Sequence, residues 1–199
     1  DGLVYEVDVR GGHKTGHYLD QRVNRQVAAA RAKDQRVLDA FSYDGLFGVR
    51  AALAGAREVL CLDQSGPAGE RALRNAERNG VADRVRFEKQ NCMHALRDRA
   101  AAGERYGLVI IDPPAFARNR REVDGAERGY VELNRRALGL VEEGGSLVSA
   151  SCSYNVRPTD FVKFLASASR LAERDVWMEE LRPAAPDHPQ LLSVPETAY

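Results

Sequence analysis

The sequence predicts an α/β fold built on one doubly wound sheet. Three observations carry this: short apolar runs such as Leu108-Val109-Ile110-Ile111, amphipathic helical stretches between them, and Gly or Pro pairs at the joins. Strands that read as continuous Val, Ile and Leu are covered on both faces, as parallel strands are, and strand–helix alternation is the pattern of a parallel sheet. The chain opens differently. Leu3, Tyr5, Val7 and Val9 alternate with Val4, Glu6, Asp8 and Arg10, which predicts a half-buried strand closed by Gly11-Gly12, a small N-terminal β extension of the main sheet. A polar segment, 13–22, then leads into a helix over 23–33. Core strands are expected at 36–40, 58–62, 84–88, 108–111, 146–150 and 176–181. Helices are expected at 46–54, 68–79, 93–102, 126–141 and 159–172, with Asn79-Gly80 and Gly144-Gly145 marking helix ends. Residues 1–33 read as a strand, linker and helix packed on a main domain of 34–199.

A chain of 199 residues suits one domain with a sizeable core. Its 44% hydrophobic and 29% charged residues exclude a disordered or fibrous chain. Lys and Arg number 29 against 29 Asp and Glu, so any nucleic-acid contact must come from a local patch rather than from net charge. No apolar run approaches the ~18 residues of a membrane helix, and no signal-peptide pattern opens the chain. Cys61, Cys92 and Cys152 are odd in number and widely spaced. That pattern suits neither a disulfide framework nor a zinc ligand set, and it favours a reducing, cytoplasmic setting with no metal site. Without Met at its start, the sequence reads as a processed chain or a piece of a longer one.

In a doubly wound sheet, ligands bind outside the carboxyl ends of the strands, so the residues just after each strand carry the function. After the first core strand come Phe41, Ser42, Tyr43, Asp44 and Gly45, a tight strand-to-helix turn whose backbone N–H groups can approach a ligand. Only Gly45 and Gly48 stand where a dinucleotide fingerprint wants three glycines, so NAD is poorly supported. Asp63, about 20 residues on at the end of the second strand, can accept from both ribose hydroxyls of a nucleoside cofactor; its plain alternative is a helix cap. Asn91 follows the third strand and offers an amide oxygen, while Cys92 reads as a small packed residue.

The fourth strand ends in Asp112-Pro113-Pro114-Ala115-Phe116. Two fixed proline φ angles stiffen the turn and hold a carboxyl at the sheet edge, with Phe116 as a candidate base-stacking platform. Arg118, Arg120 and Arg121 form a basic cluster suited to phosphate contacts, or else a solvated loop. The fifth strand leads to Ser151-Cys152-Ser153. A cysteine at a strand end is ordinarily packed; beside Asp-Pro-Pro on the neighbouring strand it becomes a candidate nucleophile.

Together with Lys14-Thr15-Gly16-His17-Tyr18-Leu19-Asp20-Gln21-Arg22 and the tail residues Asp187-His188-Pro189 and Pro195-Glu196, these segments span nearly the whole chain. The chain resembles the S-adenosylmethionine-dependent cytosine carbon-5 methyltransferases of bacterial large-subunit ribosomal RNA, the RlmI-like enzymes with an N-terminal PUA domain. The resemblance implies a class I methyltransferase, Rossmann-like sheet with S-adenosyl-L-methionine as cofactor. It implies Cys152 as nucleophile and Asp112 as its acid partner. Phe41, Ser42, Tyr43, Gly45, Asp63, Asn91 and Asp112 would hold the cofactor, with Gln21 and Arg22 closing over it. Pro113, Pro114, Phe116, Arg118, Arg120 and Arg121 would meet ribosomal RNA; no membrane partner is implied, and a homodimer is compatible with it. The sequence departs from the family at Asn91, where Asp is usual. Relatives also carry the PUA module before residue 1 and a final antiparallel strand after Tyr199, and no second Cys follows Asp112-Pro113. Two alternatives stay open: a guanine N-methyltransferase with the same Asp-Pro-Pro turn and no need of a thiol, and a non-catalytic cofactor- or RNA-binding module.

Overall fold

The structure is a computed structural model that describes residues 2–12, 16–116, 123–153, 155–189 and 191–194. Its strands are β1 (Arg36–Ala40), β2 (Glu58–Asp63), β3 (Val85–Lys89), β4 (Tyr106–Ile111) and β5 (Val141–Ser149). The helices are α1 (Arg22–Ala29), α2 (Leu46–Leu53), α3 (Gly66–Arg78), α4 (Cys92–Ala101), α5 (Val123–Leu138) and α6 (Pro158–Leu171). All strand pairs are parallel, in the order β3-β2-β1-β4-β5. The order reverses between β1 and β4, whose registers align Ala40 with Ile111. The crevice at that switch is where such sheets take ligands.

The continuous apolar runs are explained by two cores. Val37, Val59, Cys61, Leu108 and Ile110 face Ala28 of α1, Ala51 and Ala52 of α2 and Ala76 of α3. Their strand neighbours Leu38, Ala40, Leu60, Leu62, Val109 and Ile111 face Ala95 and Leu96 of α4 and Leu133 and Ala137 of α5. Successive strand residues point to opposite faces, so a sheet clad on both sides needs apolar residues at every position. Small alanines on the helices let them sit close. A third cluster, Ala126, Tyr130, Val156, Phe161 and Phe164, joins α5 to α6. Among the described residues no helix is long and apolar enough to cross a membrane.

Three expected elements differ. The N-terminal segment is extended, with Leu3 and Tyr5 turned inward as the alternation predicts, but it joins no sheet. Two asparagines of α3 supply its partners instead. The Val4 N–H donates to Asn79 Oδ1 at 3.1 Å, Asn79 Nδ2 donates to the Val4 carbonyl at 2.7 Å, and the Glu6 N–H donates to Asn75 Oδ1 at 2.8 Å. Val9 is 79% exposed because the chain turns away there, with Asp8 Oδ1 accepting from the Arg10 and Gly11 N–H groups. Residues 176–181 form no strand: β5 pairs only with β4 among the described residues, and Trp177 stands 91% exposed. Gly144-Gly145 marks no helix end. It lies inside β5, where the pairing jumps from Tyr106↔Val141 to Leu108↔Ser146, and Gly144 takes a left-handed φ of 73° in the bulge.

Candidate active site at the sheet switch point

The turn after β1 is held from beneath. The Ser42 N–H donates to the Leu62 carbonyl at 3.0 Å, and the Gly45 N–H to the Ser42 carbonyl at 2.8 Å. The Phe41 N–H reaches Cys92 Sγ at 3.3 Å, and that thiol donates to the Leu62 carbonyl at 3.4 Å. Burial pushes the Cys92 thiol up to about 12, so it stays protonated and braces the turn. Phe41 and Tyr43 sit at φ 61° and 49°, left-handed values that cost about 1–3 kcal/mol each in non-glycine residues and concentrate at functional sites. Gly45, at φ 75°, has no room for a side chain: a Cβ would lie 2.6 Å from Ala72 Cβ.

The strained turn aims at Asp63. The Tyr43 N–H donates to Asp63 Oδ2 at 3.0 Å, and the Ser65 N–H to Oδ1 at 2.8 Å. A carboxylate accepts about four hydrogen bonds, so each oxygen keeps capacity for a further donor. Asn91 caps α4, its Oδ1 accepting from the His94 N–H at 3.2 Å, and it stands exposed beside the third strand end.

A buried polar chain that the sequence reading did not find holds the entry segment over this turn. His17 Nδ1 lies 2.9 Å from Asp44 Oδ2, and Arg25 Nη2 lies 3.4 Å from His17 Nε2. A guanidinium only donates, so Nε2 accepts and Nδ1 carries the proton toward Asp44. Arg25 Nη1 also donates to the Tyr18 carbonyl at 3.1 Å. Burial lowers the guanidinium's affinity for its proton, and Asp44 opposes that most strongly. The result fixes Tyr18, whose ring meets Tyr43 edge-on at 5.4 Å. Gln21 Oε1 accepts from Asn24 Nδ2 at 2.8 Å. Arg22 Nη2 pairs with Asp187 Oδ2 at 3.1 Å, while its buried Nε has no partner among the described residues. The Ala185 N–H donates to the Asp20 carbonyl at 2.8 Å, tying the tail to the same segment.

On the other side of the switch, the Asp112 N–H approaches the Ala40 carbonyl at 3.5 Å, and the Ala150 N–H donates to the Ile111 carbonyl at 2.9 Å. Two residues beyond that last rung, Cys152 Sγ meets the Pro113 carbonyl at 3.7 Å. The half-buried thiol therefore lies against the residue that follows Asp112. Pro113 is buried and Pro114 exposed. Phe116 is half-buried, its ring edge-on to Tyr130 at 4.8 Å. Arg118, Arg120 and Arg121 lie outside the described residues. Tyr18 is half-buried, and burial, the leading cause, pushes its phenol up to about 12. Tyr18 is thus a neutral hydrogen-bond donor at ordinary pH.

The donor set fits a nucleoside cofactor. A pinned carboxylate with spare acceptor capacity suits vicinal ribose hydroxyls, and the unpartnered Arg22 Nε points to a missing acceptor. Replacement of Asp63 by Ala removes one anchor of this turn, at Tyr43, and one of the α3 start, at Ser65, together with the acceptor proposed for the ribose. Affinity for S-adenosylmethionine, measured by calorimetric titration, is expected to fall by at least about 2 kcal/mol, roughly 30-fold.

Comparison with known proteins agrees with this geometry. A family model described as S-adenosylmethionine-dependent methyltransferase matches residues 1–193. The chain is 42% identical over 200 residues to Ribosomal RNA large subunit methyltransferase I of Tolumonas auensis, covering 100% of this chain and 50% of that protein. It is 40% identical over 200 residues to the protein of the same name from Klebsiella pneumoniae, with the same coverage. The chain thus spans about half the length of the curated relatives it matches. Among solved structures, SMU.776, a candidate methyltransferase complexed with SAH, superposes with a TM-score of 0.87 at 25% identity, covering 100% of this chain and 52% of that one. The SAM-dependent methyltransferase from Agrobacterium tumefaciens shares the fold, with a TM-score of 0.68 at 19% identity over 79% of this chain and 52% of that one. The chain belongs to the S-adenosylmethionine-dependent methyltransferase family.

Proposed function

We propose that this chain is the catalytic part of an enzyme that methylates carbon 5 of a cytidine in large-subunit ribosomal RNA, through a covalent adduct on Cys152. The observation that carries the reading is the thiol of Cys152 lying 3.7 Å from the carbonyl of Pro113, beside Asp112. The names of the relatives at about 40% identity support ribosomal RNA as the substrate. Carbon 5 of cytosine is a poor nucleophile. Addition of the Cys152 thiolate to carbon 6 makes it enamine-like and divides one hard step into easier ones. Asp112, sharing a proton with ring nitrogen 3, takes up the negative charge that develops on addition. S-adenosylmethionine, held by Asp63 and the 41–45 turn, supplies an electrophilic methyl group. Loss of the carbon-5 proton to a base or water then expels the thiolate and restores the ring. The target base must leave its stack for the sulfur to reach it, which an unpaired ribosomal RNA loop makes cheap.

The test is incubation with RNA carrying 5-fluorocytidine in the presence of cofactor. Fluorine cannot leave as the proton does, so the adduct persists, and a protein–RNA band should survive denaturing electrophoresis. Methyl transfer to ordinary RNA with no such band would defeat this reading and favour the guanine N-methyltransferase.

A further inference from the structure

We infer that Tyr130 is a positioning residue that fixes the direction of the Cys152 side chain and locks its loop to the one carrying Asp112. The inference rests on the reading of Cys152 as nucleophile. Tyr130 lies in α5, fully buried, far in sequence from both loops it joins. Its hydroxyl lies 2.8 Å from Ser151 Oγ and 2.9 Å from Ser153 Oγ, and the Ser153 N–H closes the group by approaching Ser151 Oγ at 3.3 Å.

Residues 151–153 follow the end of β5 and lie outside any strand, so their direction is set by side-chain bonds. Two serine hydroxyls converging on one phenol oxygen pin both neighbours of Cys152, and the sulfur between them meets the Pro113 carbonyl. The ring does the second half of the task. It meets Phe116, from the Asp112-Pro113-Pro114 turn, edge-on at 4.8 Å. It is held in turn by Phe161 edge-on at 5.3 Å and Phe164 stacked at 6.4 Å. Burial, the leading cause, keeps the phenol neutral, so its role is hydrogen bonding and not base catalysis. A misplacement of ~1 Å between reacting groups lowers rate by about 100-fold, which is why a brace on both sides of a nucleophile matters.

The experiment compares Tyr130→Phe with the parent chain on unmodified large-subunit ribosomal RNA transcript. The ring packing stays and only the hydroxyl goes. The expected result is a kcat lower by about 10- to 100-fold, KM values for RNA and S-adenosylmethionine within about 2-fold, and a melting temperature close to the parent's. The second readout needs no RNA: the rate of Cys152 alkylation by iodoacetamide as a function of pH, with Cys61 and Cys92 buried and unreactive. Its profile should shift in Tyr130→Phe. Parental kcat together with a parental alkylation profile would reduce Tyr130 to a packing residue and overturn the inference. Should Tyr130→Phe misfold, the double replacement Ser151→Ala with Ser153→Ala deletes the same bonds from the other end. It must show the same kcat loss, and parental kcat there overturns the inference equally. The alkylation arm separates the two claims. A shifted profile in a protein that forms no 5-fluorocytidine adduct sinks the cytosine mechanism and leaves the positioning of the thiol standing.

Discussion

Replacing Cys152 by Ala is expected to abolish methyl transfer to RNA, by at least ~10³-fold or about 4 kcal/mol of transition-state stabilisation, while S-adenosylmethionine binding stays at the parent level. The two halves of that expectation come from different parts of the sheet edge. Cofactor affinity is assigned to Asp63 and the turn after β1, which Leu62, Asp63 and Cys92 hold. The proposed covalent activation belongs instead to the edge of β5, where Cys152 Sγ approaches the Pro113 carbonyl at 3.7 Å. Filter-bound transfer of radioactive methyl groups reads the first quantity and calorimetric titration reads the second. A guanine N-methyltransferase would need no thiol, and its Cys152→Ala variant would keep activity within a few-fold. That outcome, with cofactor binding unchanged, removes the covalent mechanism and leaves the methyltransferase.

What was legible in the sequence is what depends on local position. Asp63, Asp112 and Cys152 could be singled out because each follows a run of apolar residues, and strand ends on one side of a parallel sheet converge without any pairwise contact having to be known. Cys92 was legible as a packed thiol because cysteine behaves as a small apolar residue, and it is buried; that it braces the β1 turn was not. The brace of Tyr130 on Ser151 and Ser153, and that of His17 on Asp44, join residues 21 to 27 positions apart through side-chain oxygens and nitrogens. Periodicity places Tyr130 on the buried face of α5 with Ala126, Leu133 and Ala137, but says nothing of what its hydroxyl meets. The misread strands fail for a related reason. Alternation correctly turned Leu3 and Tyr5 inward, yet a strand needs a partner strand, and the partners of Val4 and Glu6 are the amides of Asn79 and Asn75. Val176, Trp177 and Met178 form a short apolar run as strand residues do and have no strand beside them among the described residues.

The stability of the fold should depend on pH through Asp39, and Asp39→Asn should remove that dependence. Asp39 is 1% exposed in β1, beneath the turn that faces the cofactor site. Its Oδ2 accepts from the Gly48 N–H at 2.9 Å and lies 3.9 Å from Cys61 Sγ. Burial pushes this carboxyl up to about 8, and the charges of Asp112, Asp44 and Asp63 push the same way against the Gly48 bond. In the unfolded chain an aspartate titrates near 3.9. Between about pH 4 and pH 8 the folded state therefore holds a proton that the unfolded state has lost. Stability falls as pH rises through that window, by up to about 1.4 kcal/mol per pH unit and roughly 3–6 kcal/mol in all, and levels off above pH 8. Asparagine keeps the carbonyl oxygen for the Gly48 N–H and is neutral at every pH. Asp39→Asn should match the parent near pH 4 and exceed it by several kcal/mol at pH 9, as read from urea midpoints at pH 4, 6.5 and 9. Parallel loss of stability in both proteins would assign the slope to other groups.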